Sequence, residues 1–237
     1  MEHDHIVKSF DDDLGRIDAI IGEMGGLAER QLADAVEALV KRDVELAQTV
    51  IDGDKRLDQL EVEIDNFTIR VLALRQPMAE DLRAVIVALK MAANLERIGD
   101  YAKNVAKRTL ILATMDPVAG TSQSVQRMAA QVQAMIKNVL DAYGARDIDK
   151  ADDVRLRDEE VDLMHTSLFR ELLTYMMEDP HHITACSHLL FVAKNVERIG
   201  DHTTSIAEYV HFLVAGERPT DERPKSDLSS QTVVEQA

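Results

Sequence analysis

Apolar residues between Leu46 and Leu74 alternate at spacings of four and three: Leu46, Val50, Leu57, Leu60, Ile64, Phe67, Val71 and Leu74, with Gly53 in the remaining place. Such a heptad seam marks a helix that buries one stripe against neighbouring helices. Leu82, Ile86, Leu89 and Ala93 repeat the habit in the following segment. Proline, glycine and polar turn residues interrupt the chain near Arg42 and Asp43, near Gln76 and Pro77, over 115–122, over 144–148, near Asp179 and Pro180, and beyond Gly216. Helix-forming residues fill the six stretches between these breaks. The pattern predicts an all-α chain of six long antiparallel helices, with Thr121 or Ser122 capping the fourth.

The two halves of the chain resemble each other. Asn94-Leu95-Glu96-Arg97-Ile98-Gly99-Asp100 returns as Asn195-Val196-Glu197-Arg198-Ile199-Gly200-Asp201. Asp54, Leu57 and Asp58 return as Asp158, Val161 and Asp162, Arg42-Asp43-Val44 as Arg146-Asp147-Ile148, and Pro77 as Pro180. The period is too long for a solenoid. It predicts two tandem, sequence-similar three-helix bundles, the first over 1–115 and the second over 123–216. Residues 116–122 then form a linker. Residues 217–237, polar and without periodicity, read as a flexible C-terminal tail.

Composition narrows the function. Hydrophobic residues make up 46% of the chain, enough for a core, while ten glycines, five prolines and 4% aromatics argue against turn-rich β folds. A net charge of −16 makes nucleic acid and anionic membrane surfaces poor partners. The single cysteine, Cys186, excludes an internal disulfide framework and fits a reducing compartment. The first residues are acidic where a signal peptide is basic, and no long apolar run is present. The expectation is a cytoplasmic protein without direct membrane insertion.

Acidic residues supply the candidate chemistry. Glu96 and Asp100 share a helix face and continue the apolar series of 82, 86, 89 and 93; Asp54 and Asp58 flank the seam at Gly53 and Leu57. In a hairpin turning at Pro77, Asp58 lies level with Glu96 and Asp54 with Asp100. A turn at Asp179 and Pro180 likewise sets Asp162 level with Glu197 and Asp158 with Asp201. Four carboxylates therefore meet in each bundle, an arrangement that repels itself unless a cation sits among them. Oxygen donors suit magnesium, manganese, calcium or ferric iron, and admit zinc and ferrous iron. The competing reading is a salt-bridge network with Arg97, Arg198 and nearby lysines. His165, placed like Glu61 of the first half, is either a further ligand or a polar flank. Gly99 and Gly200 each cost their helices about 1 kcal/mol relative to alanine, which points to close backbone approach.

The doubled Glu-Arg-Ile-Gly-Asp, with Met24-Gly25-Gly26-Leu27, Gly53-Asp54-Lys55, Arg75-Gln76-Pro77 followed by Asp81-Leu82-Arg83, and 174–179, resembles the PhoU family over residues from about 6 to 215. The resemblance implies two similar three-helix bundles whose Glu/Asp-x-x-x-Asp motifs bind multinuclear metal clusters, one per bundle. Those motifs fall on Asp54, Asp58, Glu96 and Asp100, and on Asp158, Asp162, Glu197 and Asp201. The clusters implied are iron or zinc, with magnesium, manganese or calcium as alternatives. It also implies a negative regulator of phosphate uptake and of the phosphate-starvation response, commonly a homodimer or larger homo-oligomer. Its partners would be the ATPase subunit of the phosphate ABC transporter and a phosphate sensor histidine kinase.

No Walker loop, Gly-x-Ser-x-Gly elbow or His-Glu-x-x-His motif occurs, so an enzyme is not expected. A di-metal carboxylate oxidase needs Glu-x-x-His on two core helices. Glu208 with His211 and Glu2 with His5 have that spacing, neither near the carboxylates. A metal-free helical scaffold is the remaining alternative.

Overall fold

A computed structural model describes residues 2–220 together with 226, 227, 229 and 232, with side chains from residue 10 onward. The remaining residues of the segment read as a flexible tail lie outside this set, as do the side chains of Glu2 and His5. The helices are α1 (Glu2–Lys41), α2 (Val44–Gly53), α3 (Lys55–Arg75), α4 (Ala79–Leu112), α5 (Thr121–Ala145), α6 (Ile148–Glu178) and α7 (Ile183–Ala215), with a short 3₁₀ turn at Pro180–His182. Among the described residues there is no strand, and no helix is long and apolar enough to cross a membrane.

The second of the six expected helices is bent. Asp54 keeps helical angles (φ −58°, ψ −33°), but its carbonyl accepts from Leu57 N at 2.9 Å and from Asp58 N at 3.3 Å. That tightened turn, directly after Gly53, divides one rod into α2 and α3.

The repeat extends to the turns. Arg42 and Arg146 both end their helices in the left-handed region, at φ 57° and 54°. The next residues, Asp43 and Asp147, donate their N–H back to Ala38 and Ala142 at 2.9 and 3.0 Å, the closure that ends many helices. The same aspartates then cap the following helices, accepting from Leu46 N at 2.9 Å and Lys150 N at 3.0 Å. The start of α5 differs from expectation. Gly120, at φ 79°, is its N-cap, and Thr121 lies inside the helix with its hydroxyl donating to Val118 O at 2.8 Å. A left-handed turn here favours the residue without a Cβ.

Helices α1, α2–α3 and α4 form the first bundle, and α5, α6 and α7 the second. The bundles adhere along α4 against α7 and α1 against α5. One apolar core runs through both, from Ile17 and Ile21 through Leu57, Leu95 and Ile98 to Val161, Val196 and Ile199. Repeat-equivalent residues meet at the seam: the Tyr101 ring stacks on His202 at 5.5 Å between centroids. Within the first half, Arg42 ties the α1–α2 turn to the end of α4, its guanidinium donating to the carbonyls of Leu112 and Ala113 at 3.0 and 3.1 Å and to that of Met115.

One stripe falls on a different face from the expected one. Leu82 and Ile86 are exposed, as is Ala93, while α4 buries Val85, Ala88, Ala92, Leu95, Gly99 and Ala102. This helix packs against α1, α2–α3 and α7. It is apolar over so wide an arc that spacing alone does not choose the buried side. Leu74, the last seam position before the turn, is also exposed.

Replacing either capping aspartate with alanine removes one side-chain acceptor from a helix start. Asp43→Ala and Asp147→Ala should each lower unfolding free energy by about 1 kcal/mol, additively, as read by urea denaturation.

Candidate metal centre

At the first cluster, Asp54 enters from the bend between α2 and α3 and is 3% exposed. Lys103, one turn beyond Asp100 on α4, donates to Asp100 Oδ1 at 2.6 Å and to Asp54 Oδ2. Burial draws the Lys103 ammonium toward neutrality, but the carboxylates of Asp100 and Asp54 outweigh it and hold it charged well above its ordinary range. Arg97 approaches Glu96 at 3.6 Å and Asp100 at 3.4 Å from the solvent side. Burial, then the charges of Asp100 and Glu61, push Glu96 up to about 7. Glu61 of α3 therefore belongs to this cluster electrostatically. Asp58 is exposed and lies toward the cluster's rim.

Gly99 explains how α4 comes so close. A Cβ there would stand 2.5 Å from Leu57 Cδ1, 2.7 Å from Gln31 Oε1 and 3.3 Å from Asp54 Oδ1. The glycine thus admits carboxylate, amide and leucine against bare backbone. Gln31 escaped the sequence reading. It sits in the apolar series Met24, Ala28, Gln31 and Ala35 of α1, so a polar residue on a buried stripe was the available signal.

In the second cluster Asp158, Asp162 and Glu197 are all buried and Asp201 is half-buried. Asp158 Oδ1 rests against Gly200, 3.4 Å from where a Cβ would be. Here the nearby ammonium is Lys194, one turn before Glu197. It donates to Glu197 Oε1 at 2.8 Å and to Asp227 Oδ2 at 3.0 Å. The repeat-equivalent of Lys103 is Thr204, fully buried and with no hydrogen-bond partner for its hydroxyl. Burial and Asp201 push Glu197 up to about 7 against the opposing pull of Lys194.

Asp227 and Ser226 had no legible signal, since the segment that carries them lacks periodicity. Ser226 donates its N–H to Asp162 Oδ2 at 2.9 Å and its hydroxyl to Glu159 Oε1 at 3.0 Å. Asp227 also faces the buried His165, at 3.4 Å from Nδ1. His211, half of the Glu-x-x-His spacing, pairs instead with Asp152 at 3.2 Å.

Among the described residues, no three acidic, histidine or cysteine side chains are gathered around one ion-sized point. Protein ammonium groups stand among the carboxylates instead. The donor chemistry nonetheless fits a hard cation. Glu197 Oε2 and Gln31 Oε1 are buried oxygens with no hydrogen-bond partner, and each cluster holds a glutamate whose charge is strongly disfavoured.

Two tests follow from this geometry. Gly99→Ala must displace two buried side chains and should cost about 1–3 kcal/mol, whereas Gly200→Ala should be neutral or stabilise by up to about 1 kcal/mol through helix propensity; urea denaturation reads both. The second concerns pH. A carboxyl raised in the fold contributes stability below its unfolded value near 4.5 and loses it as pH rises toward about 7. Burial lowers His165, His188 and His202, which act in the opposite direction, so the readout is a difference. In chelator-treated protein, the stability of Glu197→Gln relative to the native chain should increase across that window.

Comparison with known proteins agrees with this architecture. The PhoU domain profile matches residues 21–109 and 125–210, one match in each half. A phosphate-specific transport system accessory protein PhoU homolog of Caulobacter vibrioides is 53% identical over 228 residues, covering 96% of this chain and 99% of that relative. The corresponding Rhizobium meliloti protein is 49% identical over 230 residues, covering 97% of each. The crystal structure of PhoU from Pseudomonas aeruginosa superposes with a TM-score of 0.85 at 41% identity, over 88% of this chain and all of that one. The phosphate transport system regulatory protein PhoU from Streptococcus pneumoniae gives 0.82 at 27% identity, over 89% of this chain and 99% of its own. With a duplicated three-helix bundle, a repeated Glu-Arg-Ile-Gly-Asp and relatives of this identity along nearly its whole length, the chain belongs to the PhoU family.

Proposed function

We propose that the protein is a metal-binding regulatory adaptor, not an enzyme, that restrains phosphate uptake and the phosphate-starvation response. It does so by linking the ATPase subunit of a phosphate ABC transporter to a sensor histidine kinase. The phosphate role is supported by the names of relatives that match about the full chain. The metal role is carried by one observation: Glu197 is buried, held up to about 7, and keeps one carboxylate oxygen without a hydrogen-bond partner.

In this reading Asp54, Asp58, Glu96 and Asp100 hold one multinuclear cluster and Asp158, Asp162, Glu197 and Asp201 the other. A bound cluster would supply the positive charge that fixes the spacing of α2–α3 against α4 and of α6 against α7. Lys103 and Lys194 hold those places in its absence. Partner surfaces are then set by helix spacing. Exposed apolar residues such as Val62 and Ile69 of α3 and Leu156 and Leu163 of α6 offer contact area for a partner or a second copy.

The bridge from Lys103 to Asp54 and Asp100 favours a second reading, a metal-free scaffold in which lysines are the permanent counterions. Elemental mass spectrometry separates the two. More than one metal ion per native chain, lost in a folded Glu96→Ala/Asp100→Ala/Glu197→Ala/Asp201→Ala variant, is the expected result. Chelation should then weaken capture of the ATPase subunit or the kinase. Negligible metal in both proteins establishes the scaffold reading instead.

A further inference from the structure

The two clusters occupy equivalent places in a duplicated frame, yet their donor sets differ. In the first, Gln31 of α1 adds a third helix to the site. It is 7% exposed, its Oε1 has no hydrogen-bond partner, and that oxygen and Asp54 Oδ1 converge on the Gly99 backbone. A buried amide oxygen without a donor is costly, and a cation held beside Asp54 would give it a partner. The residue filling this place in the second half is Val132, whose Cγ2 lies 3.8 Å from a Cβ built on Gly200. The three atoms nearest that point include no amide oxygen.

A second exchange lies on the middle helices. Glu61 of α3 lies close enough to raise the carboxyl of Glu96. At the equivalent position α6 carries His165, 3% exposed, with Nδ1 toward Asp227 and within the charge field of Asp162 and Lys194. Burial lowers this imidazole's pKa, which favours the neutral form that binds a metal. A carboxylate at the far ring nitrogen is the partner that metal-bound histidines ordinarily have.

Building on the metal reading above, we infer that the two sites select different classes of cation. The first is an all-oxygen site with Gln31 as a neutral ligand, suited to a hard ion such as Mn²⁺ or Mg²⁺. The second is a mixed oxygen and imidazole site with His165 as a ligand, suited to a borderline ion such as Zn²⁺ or Fe²⁺. The physical basis is ligand type: carbonyl and carboxylate oxygens favour hard ions, whereas imidazole favours later transition metals. A neutral amide also adds coordination without adding to the repulsion among the carboxylates of that cluster.

The experiment uses full-length chains in which one site is disabled: Glu197→Ala/Asp201→Ala keeps the first, Glu96→Ala/Asp100→Ala keeps the second. Folding is checked by circular dichroism, and each chain is dialysed against Mn²⁺ alone and Zn²⁺ alone before its metal is counted. The ratio of Mn²⁺ to Zn²⁺ affinity should be at least about tenfold higher at the first site. Gln31→Val, which copies the second half, should weaken Mn²⁺ at the first site by about tenfold or more and leave the second unchanged. Gln31→Glu should tighten it. His165→Glu, copying the first half, should move the second site's ratio toward that of the first.

Equal ratios in two metal-loaded single-site chains would overturn this inference and leave the metal reading intact. Weaker Mn²⁺ binding in Gln31→Glu would show the amide donating to Asp54, which also overturns it. Metal in neither chain, with both folded, removes the metal reading and this inference together.

Discussion

Asp54 is packed beneath α4 as a charge that the core cannot hold alone. Its burial requires a positive group within reach, and much of the first bundle is arranged around that requirement. The bend after Gly53 brings the carboxylate inward. Gly99 removes the side chain that would otherwise keep α4 away, and Lys103 supplies the charge from one turn further along the same helix. In the second bundle the nearby ammonium is Lys194, which pairs with Glu197 and Asp227. The halves share the buried aspartate but not the place of the lysine, since the residue equivalent to Lys103 is Thr204.

A lysine is a demanding way to satisfy such a site. Its single charge bridges two carboxylates in the first cluster, and Glu96 is approached by Arg97 at the surface and shares a hydrogen bond with Asp100. Burial pushes both glutamates up to about 7, and the buried oxygens Gln31 Oε1 and Glu197 Oε2 have no hydrogen-bond partner. A multivalent ion relieves all of these at once, because it carries more charge in less volume and accepts several oxygens.

The seam between the bundles places these clusters in mechanical contact. Arg198 lies over the Tyr101 ring at 5.7 Å, and His202 meets Asn94 of α4 at 2.8 Å. Residues flanking one Glu-Arg-Ile-Gly-Asp thus touch those flanking the other. The halves meet through packed rings rather than through a loop, and the core is continuous across the interface.

Local pattern carried the helices, their breaks and the duplication, because periodicity and turn residues act over short stretches of chain. The match of Asp43 with Asp147 as caps, and of Gly99 with Gly200 beside a carboxylate, belongs to that class. Tertiary structure alone decided which face of α4 is buried. That helix is apolar over a wide arc, so the choice between the stripe at Leu82 and Ile86 and the stripe at Val85, Leu95 and Gly99 depends on the neighbours present. It alone decided that Asp58 stays at the rim, that Gln31 completes one cluster, and that Asp227 returns from the far end of the chain to the other. These are contacts between segments distant in sequence, and their energies depend on burial and charge at a point in space that no spacing along the chain encodes.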